Sequence, residues 1–293
     1  MVKKRSAGEK VFDSFNIIFM LFMIVITLYP FIYVALASFS DSNSLLKHEG
    51  LLLTPLNFNT KAYSFVLSNS RIFTGYINTI FVVVVGTGLN LLFTSMGAYV
   101  LSRRDLAARK IFSLFIIFTM YFSGGLIPRY ILINNQLQMK NSLWVLIVPS
   151  LISTWNLLIM RTSFFGIPAS VEESARLDGA NDFIVLFRII MPMILPTIAV
   201  MVLFYAVGHW NAWFDASLFM RNKDKYPLQL VLREILVLSQ QDMLNESNIE
   251  DREALGESIK YATIIVTTIP VLIIYPFLQK YFVQGMMIGA VKG

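Results

Sequence analysis

Asn78 lies in one apolar run, and Tyr205, His209, Trp210, Asn211 and Trp213 lie in another. Planar rings beside amide and imidazole groups bind a ligand through ring faces and hydrogen bonds, without breaking covalent bonds. A second concentration of informative residues is polar and lies between two apolar runs: Glu172, Glu173, Ser174, Ala175, Asp178, Gly179 and Ala180, followed by Ile189 and Pro192. Nothing around either group supplies catalysis. There is no Gly-rich phosphate loop ending in Lys and Ser or Thr, no His-Glu-x-x-His sequence and no cysteine, which excludes disulfides and thiolate metal sites. No catalytic, cofactor-binding or metal-ligating residue is therefore expected.

The elements that must position these residues are set by charge-free intervals. Six of them are long: Asp13 to Asp41, Arg71 to Arg103, Lys110 to Arg129, Lys140 to Arg161, Arg188 to Asp215, and Lys260 to Lys280. About 20 apolar residues of helix cross a hydrocarbon core of roughly 30 Å. With 56% hydrophobic and 14% charged residues, the chain is too apolar for a soluble domain. It reads as an all-α integral membrane protein with six transmembrane helices, near 14–38, 72–102, 111–133, 142–164, 193–216 and 261–281. A run from Phe15 to Ala35 that contains Pro30 exceeds the h-region of a cleaved signal, so it counts as the first span.

Orientation follows from Lys and Arg, which are retained on the cytoplasmic side. The flank 1–13, the 103–110 loop, the segment with Arg161, Arg176 and Arg188, and the tail 282–293 with its approach hold thirteen of the 24 basic residues against seven acidic ones. The other segments balance, so the whole net charge of +6 lies on one face. That face is assigned as cytoplasmic, with both termini on it. The basic character then needs no nucleic-acid partner.

The polar segment 168–192 falls on the same face. Pro168 suits a first helical turn, Glu172 and Glu173 are favoured near a helix start, and Gly179 suits its end. An amphipathic helix with Phe183, Leu186, Phe187 and Ile190 on one side would follow, until Pro192 and Pro196 redirect the chain. The product is either a compact knob parallel to the membrane or a plain amphipathic connector. On the other face, the loop 217–260 carries Leu228, Leu230, Val231, Ile235, Leu236 and Leu238 at helical spacing. That helix either meets a partner or the membrane surface, or forms a lid on the chain's own helix ends. Trp213 reads equally as an interfacial anchor. Asn78 and Asn211 are stronger candidates for a path, because a buried amide must face protein, water or ligand. Gly86, Gly88, Gly97 and Ala98 suit close packing in the second span, and Gly124, Gly125 and Pro128 suggest a break in the third.

Glu173, Ser174, Ala175, three residues, Gly179, nine residues, then Ile189, Ile190, Met191, Pro192 resembles the signature loop of the membrane subunits of ATP-binding-cassette (ABC) importers: Glu-Ala-Ala, three residues, Gly, nine residues, Ile, any residue, Leu, Pro. Ser174 and Met191 depart from it but stay small and apolar. Asn78 with Thr79, the stretch Ala98–Arg103, Trp210 with Asn211, and the closing Gly285–Gly293 are similar to the carbohydrate-importer branch of the maltose-permease type, within it a sub-branch handling oligosaccharides or polysaccharides. The resemblance implies a type I importer permease fold in a bacterial cytoplasmic membrane. It also implies partners: a second permease subunit in a heterodimer, two cytoplasmic ATPases that bind ATP and Mg, and an extracytoplasmic solute-binding protein delivering a sugar. Glu172 to Ala180, with Ile189 and Pro192, would couple to the ATPase; Gly285–Gly293 would touch the ATPase seam. The six residues of the apolar runs would line the sugar path, since a pyranose presents C–H patches beside hydroxyls. Two alternatives stand beside this reading: a non-sugar solute, or an ion-coupled transporter. The latter class normally uses ionisable residues inside the membrane, and the six intervals hold only His209.

Overall fold

Apolar runs bounded by charge dictate helices, and the computed structural model, which describes residues 6–242 and 257–274 with Pro276 and Gln279, is helical throughout its regular structure, with no strand among the described residues. The tail 282–293 with Gly285–Gly293, and residues 243–256 of the loop 217–260, lie outside the described residues. In chain order the helices are α1 (Ala7–Ser38), α2 (Ser42–Leu46), α3 (Lys61–Ser68), α4 (Ser70–Ser102) and α5 (Arg109–Tyr121). α6 (Leu126–Gln136) follows, then two 3₁₀ turns at Leu143–Leu146 and Val148–Ser150, α7 (Thr154–Phe165) and α8 (Ala169–Leu177). The rest are α9 (Asp182–Met193), α10 (Leu195–Trp210), α11 (Phe214–Phe219), α12 (Leu228–Asp242) and α13 (Glu257–Ile274).

Among the described residues three helices are singly long and apolar enough to cross a membrane: α1 from Gly8, α4 and α13. Two of the other expected spans are broken, and a third bend falls where the polar segment meets the expected span 193–216. α5 and α6 meet at 103°, the 3₁₀ stretch Leu143–Ser150 and α7 at 49°, and α9 and α10 at 92°. The first break falls on the expected Gly124–Pro128 stretch, where Gly125 takes φ +83°. The last lies between Pro192 and Pro196, the expected point of redirection. A π-helical stretch over Val185–Ile190, in which the Met191 N–H reaches back to the Leu186 carbonyl, precedes Pro192. A prolyl nitrogen has no N–H to give, so a locally widened turn is a natural accommodation. The chain turns at Ile194, with Pro196 in the first turn of α10.

Two compact units divide the chain, Met1–Asn69 with Glu234–Thr268, and Ser70–Arg233 with Ile269–Gly293. In the first, Ser6 and Glu9 form a capping box that starts α1. Nearly all of α1 up to Ile32 is exposed and apolar on every side, the pattern of a helix solvated by hydrocarbon. Its end packs Ala37 with Leu45 and Leu52, and Ser42 donates to the Ser258 hydroxyl at 2.7 Å, which donates on to the Ser40 carbonyl at 2.6 Å. In the second unit α4 is the axis, with α7 and α10 packed along it. One apolar cluster there joins Ala98, Leu157, Met160, Val185 and Met201; another joins Val82, Ile133, Ile147 and Phe219.

Candidate functional site

The inner site begins with α8. Pro168 caps it in extended conformation (φ −60°, ψ 137°), which positions the glutamates in its first turns. It ends in a Schellman motif: the Gly179 N–H reaches the Arg176 carbonyl at 3.0 Å and the Ala180 N–H reaches the Ala175 carbonyl at 2.9 Å. Gly179 stands at φ +84° with nothing within 4 Å of where a Cβ would sit. Its role is thus conformational freedom, since side chains disfavour that region. Asn181 then caps α9 by accepting from the Ile184 N–H at 2.9 Å. Helix, tight turn, helix is the compact knob expected from the spacing.

Its two glutamates do different work. Glu172 Oε1 accepts from the Tyr99 hydroxyl at 3.0 Å, from Arg176 Nε at 3.3 Å and, in a close ion pair, from Arg103. Arg103 also forks onto Asp105 (Nε to Oδ1 and Nη2 to Oδ2, both 3.0 Å) and reaches Asp182 at 3.4 Å, while Arg176 makes a second close pair with Asp182. Hydrogen bonds to Asp105 first, then to Tyr99, with the charge of Glu172, raise the Arg103 pKa above its usual value, opposed by burial. The bonds from Arg103 hold Asp105 below the usual carboxylate range. The guanidinium at the foot of α4 therefore stays charged and ties α4 to both arms of the knob. Glu173 and Asp178, by contrast, are exposed and accept no bond among the described residues. Between them Leu177 is 89% exposed, an apolar tip flanked by free carboxylates, while Ala175 on the opposite side is buried in the core. Ile189 is half-buried and Pro192 exposed. Neither Leu177 nor Arg103 stood out in the sequence: a Leu in a polar helix draws notice only once its face is known, and Arg103 lies 69 positions from Glu172.

The residues proposed for a path do not form one cluster. His209 Nε2 lies 2.6 Å from Asn90 Oδ1, and Asn90 Nδ2 donates to the Ser150 and Leu151 carbonyls at 2.7 and 2.9 Å. With its NH₂ committed to carbonyls, the amide offers oxygen to the ring, so Nε2 carries the proton. A Cβ on Gly86 would sit 2.6 Å from that nitrogen, so only glycine admits the imidazole here. The Tyr205 hydroxyl bonds Thr94 Oγ1 at 2.7 Å and accepts from the Ser153 N–H at 3.3 Å. Tyr205 and His209 also line a cavity of about 320 Å³ with Ser153, Asn156 and Asp215. Asp215 is held bidentately by Arg129, at 3.0 and 2.7 Å.

The other candidates stand elsewhere. Trp210 is buried beside Tyr76, its indole N–H without a partner among the described residues. Trp213 carries the Arg233 guanidinium 3.8 Å above its ring. Asn211 is exposed and its amide uncommitted. Asn78 donates to the Asp224 and Tyr226 carbonyls at 2.8 and 3.1 Å, and its neighbour Thr79 accepts from the Leu228 N–H at 2.8 Å. Leu228, Leu230 and Val231 are buried. The start of α12 is thus a lid on α4, one of the two readings of that helix. Asn90 and Thr94 were missed; the detectable signal was a second amide, and a hydroxyl four residues on, in the apolar run that holds Asn78.

No protein-family model matches the chain. Among curated proteins, it is 39% identical over 286 residues, covering 97% of this chain and 99% of the relative, to the polygalacturonan/rhamnogalacturonan transport system permease protein YtcP of Bacillus subtilis (strain 168). It is 25% identical over 276 residues to the arabinooligosaccharides transport system permease protein AraQ of Halalkalibacterium halodurans, covering 93% and 94% of the two chains. Among solved structures it superposes, with a TM-score of 0.84 and 32% identity over 95% of this chain and 99% of the other, on a bacterial ABC transporter involved in import of the acidic polysaccharide alginate. The chain belongs to the permease subunits of ABC importers for sugars and oligosaccharides. That membership decides against an ion-coupled transporter.

Proposed function

We propose that this chain is one half of a heterodimeric permease in a bacterial cytoplasmic membrane. Six spans cross it: α1, α4, α13, the bent pair α5–α6, the 3₁₀ stretch with α7, and α10 with α11, while both termini and the knob, α9 included, lie on the cytoplasmic side. Two ATPase subunits bind ATP and Mg, and an extracytoplasmic solute-binding protein delivers the cargo. The cargo is an oligosaccharide derived from an acidic polysaccharide, a reading supported by the relative named for polygalacturonan and rhamnogalacturonan and the neighbour named for alginate.

The observation that carries the coupling role is the division of labour in α8. Glu172 is locked to Arg103 at the end of α4, while Glu173, Leu177 and Asp178 face outward. A partner gripping the free face moves α4 through the locked one. Closure of the ATP-bound dimer would so rotate the spanning helices and open the path outward, and hydrolysis would reset it. Ser174, Ala180, Ile189 and Pro192 shape this lever. Asn211, Tyr205 and His209 offer polar contact along the path; Trp210 and Trp213 offer ring faces; Asn78 acts through the loop it holds. The test is uptake and sugar-stimulated ATPase activity of the assembled importer carrying Gly179→Asp or Glu173→Lys. Both variants are expected to assemble but to lose uptake and stimulation; normal transport by both would remove the coupling role.

A further inference from the structure

At the end of the helices that carries the knob, two arginines stand apart from the Arg103 network. Arg109 opens α5 and Arg161 lies in the last turns of α7, and both guanidiniums stack on the Phe165 ring, 5.3 and 5.1 Å from its centroid. Each donates to a backbone carbonyl, Arg109 to Arg103 at 3.3 Å and Arg161 to Leu101 at 3.2 Å. Neither meets a carboxylate among the described residues, and the first turn of α5 contains no acid. The contrast is local and specific: Asp105, Glu172 and Asp182 are all taken by Arg103 and Arg176. Two like charges held over one ring repel, and a bound anion would relieve that repulsion. Lys110, next to Arg109 in the chain, is exposed.

Further along α5 from Arg109, Phe112 and Phe115 are exposed, so the helix that opens on a cation continues as an outward-facing apolar ladder. A soluble phosphate would gain nothing from the ladder, whereas a phospholipid uses both parts: its phosphodiester meets the guanidiniums and its acyl chains lie along the phenyl rings.

We propose that Arg109 and Arg161, with Lys110, form a binding site for the head group of an anionic phospholipid in the leaflet at the knob end of the helices. The test is native mass spectrometry of the full chain released from micelles doped with phosphatidylglycerol or phosphatidylcholine. Phosphatidylglycerol adducts should predominate, and Arg109→Gln with Arg161→Gln should lower them about tenfold. Arg188→Gln, an exposed arginine on α9, should leave them unchanged. Lys110→Glu changes only a solvent-facing side chain, so its fold is secure, and it should lower the adducts several-fold. Equal binding of the two lipids, full binding by the double variant or by Lys110→Glu, an equal loss in Arg188→Gln, or displacement by millimolar inorganic phosphate would each overturn the assignment.

Discussion

The foot of α4 and its middle face one task, holding a long helix to its neighbours, and solve it with different chemistry. At the foot Arg103 gathers Glu172, Asp105 and Asp182, each partly open to solvent, with side-chain exposures of 19% for the arginine and 24% for Glu172. In the middle Asn90 and Thr94 are fully buried and tie His209, Tyr205 and two carbonyls without any formal charge. Desolvation explains the difference. An ion pair in a low-dielectric interior loses more hydration than its attraction returns, whereas an amide or phenol with every group paired is tolerated there. Water-accessible joints can thus use charges that a partner can grip, while interior joints are neutral.

Breaking the interior joint should have the largest effect. Gly86→Ala places a methyl 2.6 Å from His209 Nε2, and the ring cannot retreat without losing Asn90. Overpacking and the lost hydrogen bond together should cost roughly 2–4 kcal/mol, read as a lowered thermal midpoint of the purified subunit that raising ionic strength does not alter. A parental midpoint would show that the imidazole is not held as described. The charged joint should be weaker and salt-sensitive. Arg103→Gln should cost about 1–2 kcal/mol of knob docking, between the value for a bond to a charged group and that of an exposed pair. Because the chain has no cysteine, Ala175→Cys reports on this alone: its buried thiol should label about 5–30-fold faster in the Arg103→Gln background. Added salt should narrow that gap by screening the parent's ion pairs. If salt leaves the two rates unchanged, the foot of α4 is held by packing and the contrast fails.

What was legible in the sequence follows the same division. The apolar intervals stand out because each span must be free of charge, and α8 stands out because Pro168, the glutamates and Gly179 act locally through caps and backbone conformation. Pairings between distant residues left no such trace. Arg103 with Glu172, Asn90 with His209, and Asn78 with the carbonyls before α12 depend on which helix faces meet, which periodicity does not specify. Of the three breaks, Gly124 and Gly125 marked one and Pro192 with Pro196 another, while the bend before α7 was hidden. A charge-free interval records how much chain is apolar; where the backbone bends inside it is set by π turns, caps and packing that hydropathy does not register.

The smallest effect sharpens the comparison most, because it tests whether the interior joint works by pairing. Tyr205→Phe removes one hydroxyl, leaving the buried Thr94 Oγ1 and the Ser153 N–H without their partner. An orphaned buried polar group costs about 1–3 kcal/mol, but Thr94 can turn its hydroxyl onto the carbonyl one turn back, so a loss of about 1 kcal/mol is expected. Thr94→Val alone should cost a similar amount by stranding the phenol. Removing both should cost less than the sum, since two apolar groups of nearly the same shape leave no unmet hydrogen bond between them. A positive coupling of this kind, measured from the melting of the four proteins, would assign the joint to a neutral hydrogen bond. Strict additivity would assign it to shape, and α4 would then be held along its middle by packing that any side chains of the same volume could provide.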